Sequence, residues 1–215
     1  MNKSIIFDWN GTLINDTKLT FQTELNSFKK NGIKVKSINY YRGIFVHPIS
    51  KYYDLVGLNP KDYDYEKLNN EFFEEYKKQW RNVHLFKNAK EVLIDLKCAG
   101  YDLYIISATE INLLKEQLEF FGIIDLFKDI IASDNTSAVG KTEYGKIFAK
   151  EHNLTKENCV LVGDTTHDYE LSEALDIPII FFSKGHNTKK RLKTLNLPIA
   201  DNYKQLKKMI LNKKY

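Results

Sequence analysis

Carboxylates stand at two places in this 215-residue sequence where a short apolar run ends. Asp8 directly follows the run Ser4–Phe7, and Asp164 and Asp168 come just after the run Cys159–Val162. If both runs are strands of one parallel sheet, their carboxyl ends share an edge and the three carboxylates meet there. Carboxylates at such a short separation repel one another unless a cation neutralises them. The spacing therefore predicts a metal site of oxygen ligands, the kind of site that suits Mg²⁺.

Two further apolar runs end in polar groups of a different kind. Ser107 and Ala108 follow the run 101–106, and Lys141 opens a predicted helix after the run 129–132. A bound phosphate needs positive charge and hydrogen-bond donors, which a lysine, a hydroxyl and backbone N–H groups supply. Catalysis of phosphoryl transfer rests mainly on positioning and electrostatic stabilisation. These residues therefore indicate a phosphate site beside the predicted metal site.

The elements that must position these groups can be predicted from hydropathy patterns. Short apolar runs, the mark of strands buried on both faces, lie at 4–7, 101–106, 129–132, 159–162 and 177–182. Helical periodicity occupies the segments 89–99, 111–121, 142–152 and 169–175. This alternation predicts an α/β fold with a doubly wound parallel sheet and right-handed crossovers, whose ligands bind beyond the carboxyl ends of the strands.

One long stretch, residues 16–83, breaks the alternation. It contains two amphipathic helical patterns, at 19–30 and 65–80, with a segment rich in turn residues between them. We interpret it as a helical module inserted after the first strand, so that residues 1–15 and 84–215 form a core domain. The module carries many of the tyrosines, which would suit an apolar lid over a polar site.

Composition narrows the classes of function and partner. The 32 Lys and Arg residues and the 28 Asp and Glu residues are intermixed, which argues against a nucleic-acid partner. Cys98 and Cys159 are far apart and lack the spacing of a disulfide framework or a zinc site, and we expect both to be buried. The first apolar run is too short for a signal peptide or a membrane span. We therefore expect a cytoplasmic protein without a membrane partner, either a monomer or a dimer.

In order and spacing, the four polar features resemble the four motifs of the haloacid dehalogenase superfamily of hydrolases. The resemblance covers residues 3–182 approximately. The insertion resembles the helical cap of the subfamily that includes phosphoglycolate phosphatases, sugar-phosphate phosphatases and phosphonatases. The resemblance implies a Rossmann-like core with an inserted cap domain at residues 16–83. It also implies a Mg²⁺-dependent phosphatase that acts on a small phosphorylated metabolite.

The resemblance also implies roles for individual residues. Asp8 would be the nucleophile that forms an aspartyl-phosphate. The metal ligands would be the carboxylates of Asp8, Asp164 and Asp168 and the backbone carbonyl of Asn10. The transferring phosphoryl group would meet the Ser107 hydroxyl and the Lys141 ammonium. The remaining residues that we predict to contact substrate are Thr12, Ala108 and, in the insertion, His47.

Position 10 departs from the family pattern. Most phosphatases of the superfamily have an aspartate there, which protonates the leaving oxygen and then activates water. The amide of Asn10 can do neither. The rate enhancement from general acid–base catalysis, about 10²- to 10⁴-fold, would therefore be missing or come from another residue. His47 and His167 are possible substitutes. Alternatively, the substrate has a good leaving group, such as an acyl phosphate.

Three alternative functions remain open from the sequence. A phosphonatase would need a cap lysine for a Schiff base, and Lys51 is the candidate. A dehalogenase would not need Mg²⁺, so the Asp164 and Asp168 pair argues against it. With Asn10, the chain could also be a non-catalytic protein that binds a phosphorylated ligand. Specificity is predicted to depend on the loop Gly43–Tyr53.

Overall fold

A six-stranded parallel sheet forms the centre of the protein. The computed structural model describes residues 3–34, 37–133 and 141–213, and the side chains of Ser133 and Lys141 lie outside the described part. The strands are β1 Lys3–Phe7, β2 Tyr101–Glu110, β3 Asp129–Ser133, β4 Cys159–Gly163, β5 Ile179–Phe182 and β6 Ile199–Ala200. They lie in the order β3-β2-β1-β4-β5-β6, which confirms the predicted doubly wound α/β class.

Helices make up most of the remaining described chain. The first four, in the insertion, are α1 Thr17–Lys30, α2 Ile38–Ile44, α3 Ile49–Val56 and α4 Tyr65–Gln79. The others are α5 Ala89–Cys98, α6 Ile111–Phe120, α7 Lys141–Glu151, α8 Thr166–Leu175, α9 Lys189–Lys193 and α10 Tyr203–Leu211. None of the helices described combines the length and the apolar character that a bilayer crossing requires.

The core lies on both faces of the sheet because strand side chains alternate between faces. Ile5 and Phe7 of β1 pack in the apolar cluster beside α5, α6 and α10. Ile6, between them, packs on the opposite face with residues of α7 and α8. Apart from the exposed Lys3, every residue of β1, β4 and β5 is buried, as expected for strands covered on both sides. Such a sheet leaves its strand ends as the place for polar groups.

The inserted helices have an apolar cluster of their own. Phe28 of α1, Tyr41 of α2 and Tyr52 and Tyr53 of α3 belong to it, together with Leu68 of α4. Most tyrosines of the insertion therefore serve packing within this module. The helices α1 to α4 lie within the predicted cap, residues 16–83, whose exact boundaries stay a prediction.

Several sequence predictions about elements were wrong. The segment between α1 and α4, for which the sequence indicated turn residues but no helix, contains the short helices α2 and α3; Ser37 caps the first, and Gly57, at φ +96°, ends the second. β2 continues to Glu110 with a register irregularity after Ile106, so Ser107 and Ala108 lie within it. The short strand β6 was missed, and Cys98 is exposed, while Cys159 is buried.

Candidate active site

Three buried carboxylates meet at the carboxyl end of the sheet. Asp8 follows β1, Asp164 follows β4, and Asp168 lies in the first turn of α8. One carboxylate oxygen from each lies within 4.8 Å of the other two, and all three residues are buried. Because β1 and β4 are hydrogen-bonded neighbours, the sheet itself brings these loops together. This is the juxtaposition that the sequence predicts.

Hydrogen bonds hold the two later carboxylates in place. The Thr12 hydroxyl donates to Asp164 Oδ1 at 2.7 Å, and the backbone N–H of His186 donates to Asp164 Oδ2 at 2.5 Å. Asp168 Oδ2 accepts from the N–H groups of Asp164 and Thr165 at 3.1 and 2.9 Å, and Thr165 and Asp168 form a capping box at the start of α8. The site is therefore organised before any ligand binds.

The donor set fits a hard divalent cation. Burial, together with the neighbouring charges of Asp8 and Asp168, raises the pKa of Asp164 well above its usual range. Three buried carboxylates that crowd in this way are stabilised by a positive charge placed between them. Because all the ligands offered are oxygen atoms, Mg²⁺ suits the site better than softer metals.

Two glycines leave room for the Asp164 carboxylate. Gly11 has φ +73°, and a Cβ atom there would lie 2.6 Å from Asp164 Oδ2. A Cβ atom at Gly185 would overlap the same carboxylate and the backbone oxygen of Gly11. Any larger residue at either position would therefore displace a predicted metal ligand.

Asn10 is fixed by hydrogen bonds on both sides of its amide. Its Nδ2 donates to Asp16 Oδ2 at 2.6 Å and to the Tyr76 hydroxyl at 3.2 Å. Its Oδ1 accepts from the Thr109 hydroxyl at 2.6 Å. Tyr76 also donates to Asp16 at 2.8 Å. This network orients the amide, and its chemistry excludes proton transfer by residue 10.

A carboxylate–imidazole pair lies on the other side of this network. His186 Nε2 lies 3.3 Å from Asp16 Oδ1, and His186 Nδ1 lies 2.7 Å from the Tyr41 hydroxyl. Burial acts to raise the pKa of Asp16, but the hydrogen bond and the charge of His186 lower that pKa below its usual value. Burial acts to lower the pKa of His186, but the hydrogen bond and the charge of Asp16 raise that pKa above its usual value. The two groups thus favour each other's charged forms.

The remaining predicted residues fall at different places around the site. Ala108 and His47 line the cavity beside Asp8. Ser107 is buried, and its Oγ accepts the N–H of Thr109 at 3.1 Å. The Thr12 hydroxyl donates a hydrogen bond to Asp164, and Thr12 does not line the cavity. Lys141 begins α7, as predicted, but its side chain and the preceding residues 134–140 lie outside the described residues.

The predicted specificity loop, Gly43–Tyr53, contains residues that line the cavity and residues that contact the core. The rings of His47 and His167 are in tilted contact, with centroids 5.0 Å apart, and both line the cavity. Arg42, just before this loop, instead donates to the backbone carbonyls of Ser183, Gly185 and Asn187 in the loop after β5. Arg191 of α9 donates to the carbonyls of Gly43 and Phe45. Both arginines join the insertion to the core.

Among the cavity residues that the sequence did not predict are Asp16, Glu24, Tyr76 and His186. His186 lies beyond the end of β5, so the strand-end rule that found Asp8 could have found it. Asp16 and Glu24 could have been noticed as acidic residues eight positions apart, on one face of a helix. Tyr76 has no such signal, because its contact depends on how α4 packs.

Comparisons with known proteins agree with this geometry. Residues 5–182 match the family model of haloacid dehalogenase-like hydrolases, and the chain belongs to that family. It is 24% identical to a phosphoglycolate phosphatase of Nitrosococcus oceani over 191 residues, 85% of this chain and 84% of the relative. A phosphoglycolate phosphatase of Colwellia psychrerythraea is 30% identical over 105 residues, which span 48% of this chain and 46% of the relative.

Solved structures share the whole fold. The structure of a predicted phosphatase from Clostridium acetobutylicum matches with a TM-score of 0.82 and 19% identity, covering 99% of both chains. This match includes the inserted helices as well as the sheet, because it spans nearly every residue. The predicted resemblance to the haloacid dehalogenase superfamily is confirmed, and the protein is a hydrolase of that family.

A buried carboxyl group in the cavity makes stability depend on pH. Burial raises the pKa of Glu24 to about 8, although its hydrogen bond from Tyr52 acts in the opposite direction. The stability contribution of a group with a raised pKa is complete below the unfolded pKa, near 4.5, and is lost as pH rises to about 8. The wild type should therefore lose on the order of 3 kcal/mol in its free energy of unfolding between pH 5 and pH 8. We expect the Glu24→Gln variant not to show this loss.

Urea unfolding at both pH values measures this effect. The exposed Glu66 of α4 is the matched control, and Glu66→Gln should leave the pH dependence as it is in the wild type. The burial argument is wrong if the two glutamine variants lose stability equally between pH 5 and pH 8.

Proposed function

We propose that this chain is a Mg²⁺-dependent phosphatase that hydrolyses a small phosphate monoester through an aspartyl-phosphate on Asp8. The observation that carries the proposal is the cluster of three buried carboxylates, Asp8, Asp164 and Asp168, at the carboxyl end of the sheet. Phosphoglycolate phosphatases among its relatives, and membership of the hydrolase family, support the same reaction class.

The proposed reaction has two displacements. In the first, an oxygen of Asp8 attacks phosphorus, the bond between phosphorus and the ester oxygen breaks, and the alcohol leaves. In the second, water attacks the aspartyl-phosphate, which releases inorganic phosphate and restores the carboxylate. Mg²⁺ held by Asp8, Asp164, Asp168 and the Asn10 carbonyl would neutralise the phosphate oxygens. Lys141 and Ser107 are proposed to add charge and a donor on the opposite side.

The leaving alcohol also needs a proton, which Asn10 cannot give. Within the described residues, His47, His167 and His186 line the same cavity. Imidazole is the side chain whose ordinary pKa lies nearest neutral pH. The proposed phosphatase therefore works without the acid/base aspartate of its family, with other proton carriers near the site.

The test is release of inorganic phosphate by purified protein from a panel of phosphate monoesters, with Mg²⁺ and again after chelation. We expect turnover with Mg²⁺ and its loss with the chelator. The proposal fails if no ester of the panel is hydrolysed in either condition. Binding of phosphate esters without turnover would instead support the non-catalytic alternative.

The phosphonatase alternative has little structural support. Lys51 is exposed and does not line the cavity that contains Asp8. A Schiff base on Lys51 would form away from the attacking carboxylate. We therefore expect borohydride to trap no carbonyl substrate on Lys51, with mass spectrometry as the readout.

The network around Asn10 predicts a specific pair of compensating changes. Asn10→Asp removes the donor to Asp16 and places two carboxylates where the Asn10 nitrogen and the Asp16 oxygen are now 2.6 Å apart. We expect a loss of about 2 kcal/mol in the free energy of unfolding. Adding Asp16→Asn restores one amide and one carboxylate, so the double variant should regain most of that loss.

A double-mutant cycle in urea, without metal, measures this coupling. The control is Asp16→Asn alone, which should also destabilise the protein because Asp16 accepts five hydrogen bonds or charge contacts. Additive effects of the two substitutions would show that the amide–carboxylate contact is not what holds Asn10.

A further inference from the structure

The cavity extends from Asp8 along the inner face of α1. Asp16, Thr20 and Glu24 line it at intervals of four residues, so they share one face of the helix. At a rise of 1.5 Å per residue, Glu24 lies about 12 Å from Asp16 along the helix axis. Glu24 is only 6% exposed, and its Oε2 accepts from the Tyr52 hydroxyl at 2.7 Å. A carboxyl group therefore stands at the cap end of the substrate cavity.

Aromatic rings form the walls around this end. Phe45 follows α2, Tyr53 belongs to α3, and Phe72 and Phe73 belong to α4; all four line the cavity. The Phe72 and Phe73 rings lie edge to face with centroids 5.5 Å apart, so the wall presents differently oriented rings. The cavity volume is about 140 Å³. An engineered apolar cavity of ~150 Å³ accepts a benzene molecule, so the site suits a small group.

At its cap end the cavity has a carboxyl group to which no cationic side chain in the described part of the chain is bonded, whereas His186, nearer Asp8, is paired with Asp16 at 3.3 Å. Among the described residues that line it, none is a lysine or an arginine. A buried carboxylate is costly unless a cation pairs with it, and burial raises the pKa of Glu24 to about 8 although the Tyr52 hydrogen bond and the charge of His186 act to lower it. Aromatic faces carry partial negative charge, so they too favour a cation. A leaving group with its own carboxylate would be repelled at this end.

We propose that the leaving group of the substrate is a small alcohol bearing a positive charge, an amine or a quaternary ammonium group, which Glu24 and the aromatic walls bind. This inference rests on the proposed phosphatase function and names its substrate class. The phosphate lies at Asp8, and the cation lies between the Glu24 carboxylate and the faces of Tyr53, Phe72 and Phe73. Phosphate esters with a second negative charge are poor substrates.

Three esters of similar size separate the charge of the leaving group from its shape. Choline phosphate carries a trimethylammonium group, 3,3-dimethylbutyl phosphate is its uncharged carbon isostere, and phosphoglycolate carries a carboxylate. We expect kcat/KM for choline phosphate to exceed that for the isostere by about tenfold or more, with phosphoglycolate lowest. Equal or better hydrolysis of the isostere or of phosphoglycolate overturns the inference.

Two variants test the residues that carry the inference. Glu24→Gln keeps an acceptor for Tyr52 but removes the charge, so the ratio of choline phosphate to isostere should fall to about threefold or less. Phe73→Leu keeps apolar volume but removes a ring, and should also lower the ratio. Glu66→Gln, on the exposed side of α4, is the matched control and should keep the wild-type ratio. An unchanged ratio in Glu24→Gln overturns the role of Glu24.

A binding measurement separates this inference from the proposed catalysis. Calorimetry of choline phosphate and of the isostere, with Mg²⁺ and the Asp8→Asn variant, reports affinity without turnover. If no ester is hydrolysed by the wild type, the proposed function fails, while preferential binding of choline phosphate still supports the cation site. If esters are hydrolysed and the isostere binds equally well, the cation site fails alone.

Discussion

Asp8→Asn lowers the rate of phosphate release by about 10⁴-fold or more, the largest effect that we expect from a single substitution. The amide is close to the carboxylate in shape but has no lone pair with comparable nucleophilicity, so no phosphoryl-enzyme forms. Steady-state phosphate release with Mg²⁺ measures the loss. Acid-quenched protein should carry phosphate in the wild type and none in the variant.

The same substitution should leave the fold intact. Asp8 lies within 4.8 Å of the ligand atoms of Asp164 and Asp168, so removing its charge relieves repulsion when no metal is bound. The free energy of unfolding without metal should therefore be unchanged or slightly higher. The exposed Asp62 is the control, and Asp62→Asn should keep full activity. A variant of Asp8 that keeps more than a tenth of the activity would refute nucleophilic attack by this residue.

Gly185→Ala should strongly reduce activity, although Gly185 has no side chain that could take part in catalysis. An added Cβ would overlap the Asp164 carboxylate and the Gly11 carbonyl, so the loop after β5 must move away from β4. That movement breaks the hydrogen bond from the His186 N–H to Asp164. We expect a loss of about 2 kcal/mol in stability and at least ~100-fold in activity.

Gly43→Ala is the matched control for this prediction. Gly43 lies in α2, and a Cβ atom there would meet no atom within 4 Å. Alanine in a helix is more favourable than glycine, so stability should rise by roughly 0.5–1 kcal/mol with activity retained. Urea unfolding, the phosphatase assay and calorimetry of Mg²⁺ binding compare the two. If Gly185→Ala binds Mg²⁺ as tightly as the wild type, the crowding argument is wrong.

The sheet and its carboxylate cluster could be predicted because both depend on short-range patterns. Apolar runs followed by Asp8 and by Asp164 are visible in sequence, and parallel strand ends share an edge whatever the loops do. The two-residue strand β6 has no periodicity to detect. Ser107 was placed after its strand, because the apolar run ends at Ile106 while the backbone pairing resumes at Glu110.

The cap side of the cavity could not be predicted, because it depends on packing between separate helices. Whether Glu24 faces solvent or a cavity is set by the rotation of α1 against α4, and Tyr76 reaches Asp16 only through that contact. The helices α2 and α3 have only seven and eight residues and lie among turn-favouring residues, so they were not separated from turns in the sequence. The place of Glu24 in the cavity and the contact of Tyr76 therefore follow only from the assembled helices, whereas His186 has a signal in its position after β5.

The bonds of Arg42 link the inserted helices to the predicted metal site. Its guanidinium holds three carbonyls of the loop that carries His186, and the N–H of His186 in turn holds Asp164. Any movement of the inserted helices away from the sheet would break these charge-assisted bonds and free the loop that positions Asp164, a proposed metal ligand. Docking of the inserted helices and the position of the Asp164 carboxylate are therefore linked through Arg42 and the loop after β5.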